Sequence, residues 1–117
     1  MIEEKGRDLG RHIGQSKEYQ ELRRANDALS QDKEAVALLK QMEQLRGDAQ
    51  RLIERGQRPT QEMEQQLDDL LGKVQVQPAY QRLLVAQENF DKLMQRVNEL
   101  ILEGIEKGAA SPIIVLG

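Results

Sequence analysis

Apolar residues recur at helical spacing through almost every segment of this chain, with polar residues filling the breaks between. The longest pattern runs from Pro78 to Lys107, interrupted only by Gly104 near its end. Leu83, Ala86, Phe90, Leu93, Val97 and Leu100 follow one another by alternating steps of three and four. Tyr80, Leu84, Met94, Ile101 and Ile105 form a second row beside the first. Together they predict an apolar stripe about 100° wide on a helix about 45 Å long. A stripe of that length needs other helices to cover it.

Four shorter helices precede it. Residues 2–15 place Ile2, Gly6, Leu9 and Ile13 on one side. Gly6, Gly10 and Gly14 weaken that helix by ~1 kcal/mol each relative to alanine, but they leave a smooth side for close approach. Ser16 is a good N-cap for residues 17–30, which carry Tyr19, Leu22, Ala25 and Leu29 inward. Asp32 caps residues 33–55, with Ala35, Leu38, Met42, Leu45, Ala49 and Leu52 in heptad register. Gly56-Gln57-Arg58-Pro59-Thr60 is a helix stop followed by a new cap. So short a link makes an antiparallel hairpin with residues 61–76, which present Met63, Leu67, Leu70, Leu71 and Val74. Gln77-Pro78 ends that helix, because proline disfavours the α conformation just before it. A kink and a full reversal are both compatible with this junction.

The predicted fold is all-α: a long antiparallel helical hairpin, a long C-terminal helix and short N-terminal helices, assembled as an oligomeric helical bundle. One helical domain spans residues 1–108. An apolar, non-helical C-terminal tail spans residues 109–117, with Ile113-Ile114-Val115-Leu116 expected to dock on the bundle or on a neighbouring subunit. The expected oligomer or partner interface comprises Tyr80, Leu83, Phe90, Leu93, Val97, Leu100 and Ile101.

Composition narrows the function. The chain has 117 residues, with 32% charged, 3% aromatic and no tryptophan, which suits elongated helices better than a compact globule. The net charge of −3 gives no global attraction to nucleic acid or anionic lipid. Cysteine is absent, which excludes disulfides, thiolate zinc sites and cysteine-ligated iron–sulfur clusters. No secretory h-region and no membrane-length apolar run is visible, so a soluble cytoplasmic protein is expected.

Motifs for catalysis are absent. His12 is the single histidine, and no orienting partner is evident beside it in sequence. No glycine-rich loop follows a strand, and no Glu-x-x-His pair supports a di-metal site. No cofactor, metal or small-molecule substrate is therefore expected. Arg46, Arg51, Arg55 and Arg58 concentrate positive charge along the third helix and its turn. They are candidates for RNA contact, although cations near a helix C-terminus also complement its dipole, and no aromatic residue stands ready to stack a base.

Several of these segments carry a family resemblance. They are Ser16-Lys17-Glu18-Tyr19, Asp32-Lys33-Glu34-Ala35, the Gly56–Thr60 turn, and Gln77-Pro78-Ala79-Tyr80 followed by Leu83, Ala86-Gln87, Phe90, Val97-Asn98 and Ile101. In order and spacing they resemble the YlbF/YmcA family of small helical bacterial proteins, YheA-like members included, over roughly residues 5–103. The resemblance implies an oligomer without enzymatic activity. Its best-known members act with a third protein, YaaT, in competence, sporulation, biofilm formation and ribonuclease Y-dependent RNA processing. Some members carry cysteines linked to iron–sulfur clusters, and this chain has none to offer.

The expected function is accordingly a non-catalytic regulatory or adaptor role through helix-mediated association with itself, with family members or with a YaaT-like protein. The alternatives are an RNA-binding accessory protein using Arg46–Arg58 and a YheA-like protein of unrelated role.

Overall fold

The structure is a computed structural model, and it describes residues 1–110. Five helices follow in order: α1 Ile2–Gly14, α2 Lys17–Gln31, α3 Lys33–Glu54, α4 Gln61–Gln75 and α5 Pro78–Ala110. The all-helical fold expected from the periodicity is what the chain adopts. The docking expected of Ile113–Leu116 falls outside the described residues.

Local signals set the boundaries. The Ser16 side chain accepts a hydrogen bond from the Tyr19 backbone N–H at 3.1 Å. Asp32 caps α3 through the Ala35 N–H at 3.0 Å, and Thr60 caps α4 through the Met63 N–H at 3.1 Å. α3 ends in a Schellman motif. Gly56 takes φ 78°, the Gly56 N–H donates to the Ile53 carbonyl at 3.0 Å, and the Gln57 N–H donates to the Leu52 carbonyl at 2.8 Å. One boundary differs from the sequence reading. Ala109 and Ala110, assigned to the non-helical tail, continue α5. Alanine is the strongest helix former, so Ala109 and Ala110 extend α5 readily.

Packing joins these elements into two pairs. α2 lies along α5, and α3 lies along α4 as the expected hairpin. α4 and α5 touch little, so Gln77-Pro78 is an open bend and not a reversal onto α4. The Gln81 side chain spans that bend, donating from Nε2 to the Gln75 carbonyl at 2.9 Å. α2 and α3 also meet only sparingly across Asp32, so the chain runs outward through α2 and α3 and returns through α4 and α5. The result measures 67 × 36 × 19 Å. Its smallest dimension is two helix diameters, so no third layer covers either face.

The buried set is correspondingly small: Leu22, Ala25, Ala35, Met42, Ala49, Val74, Ala86 and Val97. Leu22, Ala25 and Ala86 form one cluster, with Leu83 and Phe90 packed against it. The Tyr19 and Phe90 rings meet at 5.7 Å between centroids with planes tilted by 58°, a favourable arrangement for their quadrupoles. The radius of gyration is 21.7 Å, where a compact chain of this length would have about 13 Å. The accessible surface is 9480 Å², against roughly 6,500 Å² for a compact monomer of this mass.

Phe90→Ala should lower the unfolding free energy by about 3 kcal/mol, the low end for a phenylalanine whose ring is only half-buried. Urea denaturation followed by circular dichroism checks this, and an unchanged midpoint would show that the α2–α5 cluster contributes little. Gly56→Ala should cost ~1–2 kcal/mol because alanine pays a steric penalty in the left-handed region.

Candidate protein-docking surface

The sequence-predicted interface divides on the structure. α2 takes up the middle of the α5 stripe. Leu83 and Phe90 pack against the Leu22–Ala25–Ala86 cluster, and Val97 is buried. Leu93 is half-buried in an open groove that it lines with Lys17, Glu18, Glu21 and Arg96. Tyr80 is half-buried near the start of α5. Leu100 and Ile101 remain open, at 48% and 44% exposure. Part of the predicted interface therefore serves the chain's own fold, and the free stripe begins beyond Val97.

Further apolar residues extend that open surface. Leu102 and Ile105 are exposed on the last turns of α5, and Leu84 and Val85 are exposed nearer its start. Val85 and Leu102 fall outside both rows read from the sequence. Their signal was visible as apolar residues off the main stripe, since a helix covered on one side alone has no need of them. α1 contributes Ile2 and Leu9 and has no buried residue. Val76 and Ile53 add exposed apolar area on the α3–α4 half.

The candidate arginines lie on α3 and on the turn that follows it. Arg46, Arg51, Arg55 and Arg58 are all exposed. Arg51 is engaged by Asp48 at 2.9 Å. Arg46 lies about 140° around the helix from Arg51, whereas Arg55 stands one turn on from Arg51 and on its side. Arg55 is the C-cap of α3, where a cation complements the helix dipole.

Groups with chemical potential stand in solvent. His12 has a neighbour that the sequence reading did not supply. Its Nε2 lies 3.8 Å from Asp8, one turn earlier, and Arg11 approaches the same carboxylate at 3.4 Å. All three are well exposed, which makes a solvated ion cluster and not an oriented acid–base pair. Glu3 turns to the Met1 ammonium at 3.3 Å, and Lys92 pairs with Glu88 one turn earlier at 3.4 Å. A backbone hydrogen bond, and then that ammonium, hold the Glu3 carboxyl below its ordinary pKa. No group of histidine and carboxylate side chains among the described residues has the arrangement of a metal site. No helix among them is long and apolar enough to cross a membrane.

Two open grooves follow the helix pairs. One of about 390 Å³ lies between α3 and α4, walled by Gln41, Gln44, Asp48, Gln66, Asp69 and Lys73 over a floor of Leu45 and Leu70. Another of about 560 Å³ lies between α2 and α5, where Arg24, Arg82 and Asn89 border Val85 and Ala86. Both are troughs between cylinders lined by amides and solvated charges. Neither brings a nucleophile and a base together.

Known proteins share this arrangement of segments. The chain is 28% identical over 99 residues to a UPF0342 protein of Limosilactobacillus reuteri (strain DSM 20016), covering 85% of this chain and 80% of that protein. It is 30% identical over 104 residues to a UPF0342 protein of Desulfitobacterium hafniense (strain Y51), covering 89% of this chain and 79% of that one. The family described as "Control of competence regulator ComK, YlbF/YmcA" matches residues 2–106, which takes in all but the last turn of α5. With a match of that extent over this helical frame, the chain belongs to the YlbF/YmcA family.

Proposed function

We propose that this chain is a non-catalytic regulatory protein that works by presenting helix faces to other proteins, a second copy of itself among them. The observation that carries this reading is uncovered area. A chain of this mass exposes 9480 Å² where a compact monomer exposes roughly 6,500 Å². An excess of about 3,000 Å² in one chain exceeds the roughly 800 Å² per partner that a standard interface buries. One concentration of its apolar part lies at the α5 end, in Leu100, Ile101, Leu102 and Ile105. Family membership supports a regulatory role, since the family is named for control of a competence regulator. Action alongside a YaaT-like protein, with an influence on ribonuclease Y-dependent RNA processing, is the finer form of the same proposal. It requires no cofactor of this chain.

Self-association is tested by sedimentation equilibrium at micromolar concentration. A dimer or larger species is expected, and a stable monomer overturns that part of the reading. Apolar docking also predicts weak salt dependence, whereas phosphate contacts make affinity fall steeply with salt. RNA binding should accordingly be weak and nonspecific at ~150 mM salt. Submicromolar RNA affinity that is abolished by Arg51→Glu with Arg55→Glu would overturn the assignment to protein partners.

A further inference from the structure

Two helical segments of this chain expose apolar residues that no other part of it covers among the described residues. α1 has 13 residues, none of them buried. The part of α5 beyond Val97, Asn98 to Ala110, also has 13 residues. Each is about 20 Å long. On α1, Ile2 is 84% exposed and Leu9 37%. On α5, Ile101 is 44% exposed and Ile105 59%. Gly6 and Gly10 lie along the first stripe and Gly104 along the second. A Cβ added at any of these glycines would meet nothing within 4 Å, so another backbone has room to approach.

The joint between α1 and α2 keeps these stripes apart within one chain. The start of α2 already stands beside Leu93 and Arg96, so an α1 continuing in line would have run along the rest of α5. Ser16 sets a different course. It is extended at φ −66° and ψ 152°, its Oγ donates to the Ile13 carbonyl at 2.6 Å, and the same oxygen accepts from the Tyr19 N–H. α1 leaves from the point where α5 loses its cover, and it does not supply that cover itself.

We propose that α1 is an exchanged arm, lying along Asn98–Ala110 of α5 in a second copy of this chain while that copy's α1 returns the contact. The proposal rests on the self-association reading above and names the element that performs it. Two-fold symmetry makes each arm contact count twice, so a helix too short to hold on its own contributes two equivalent patches. Charge is complementary over part of the shared length. Glu99, Glu103 and Glu106 outnumber Lys107 on the α5 segment, and Lys5, Arg7 and Arg11 outnumber Asp8 in the middle and end of α1, while Glu3 and Glu4 at its start bring the whole helix to neutrality.

The absence of native cysteine makes the test clean. Leu9→Cys and Ile105→Cys are introduced singly and together in the full chain and treated with a short bis-maleimide. A covalent dimer is expected from the double variant, and also from a co-expressed mixture of the two single variants, where only exchange between copies can join them. A cross-linked monomer would place α1 on its own α5 and overturn the proposal. A dimer in sedimentation with no cross-link would overturn the arm while leaving self-association intact, and a monomer would overturn both. Leu9→Glu and Ile105→Glu should each weaken the dimer at least tenfold with helix content unchanged, since both side chains are exposed in the single chain. If these two leave the dimer intact and removal of residues 112–117 dissolves it, the tail and not α1 occupies the α5 stripe, and the proposal fails.

Discussion

Where α2 lies along α5, Ala25 and Ala86 share one buried cluster with Leu22, and Leu83 and Phe90 fill its margins. Small residues at the centre let two helices approach, and large ones at the sides exclude water. This contact ties the two ends of the chain together, because α2 comes early and α5 last. Without it α5 would be a bare helix, and the hairpin of α3 and α4 would have nothing to stand on. Yet the contact uses only one side of each helix. A molecule two helices thick leaves apolar residues of its remaining stripes open.

The sequence was most legible where a signal is local. Ser16, Asp32 and Thr60 each cap the helix they were assigned to, because a cap is a bond to a backbone N–H three residues on. The inward positions of α2 and α3 also followed from periodicity, with Leu22, Ala25, Ala35, Met42 and Ala49 all buried. What periodicity cannot state is which neighbour covers a stripe. Leu83, Phe90 and Val97 read as an interface and are partly spent inside the chain. Ile2 and Leu9 read as one side open to close approach, and they stand exposed. The bend at Gln77-Pro78 was undetermined for the same reason, since its angle is set by α2, a partner remote in sequence. The arginines show the converse. Arg46 and Arg51 are close in the chain, and helical rotation turns them apart.

Family membership and physical reading converge from independent directions. The match to the YlbF/YmcA family rests on aligned residues across most of the chain. The case for docking rests on area, exposure and shape. Neither involves an enclosed pocket or a poised catalytic group.

The two helix pairs also bear on how the molecule comes apart. Folding is cooperative where residues share burial, and the cluster around Leu22 and Ala86 does not include Met42, Ala49 or Val74. Only the bends at Asp32 and Gln77-Pro78 connect the halves. Sparse contact between the halves predicts that the distal hairpin opens while the α2–α5 pair persists. Amide exchange in α3 and α4 would then report a local free energy and not the global one. A single melting temperature would describe this protein incompletely.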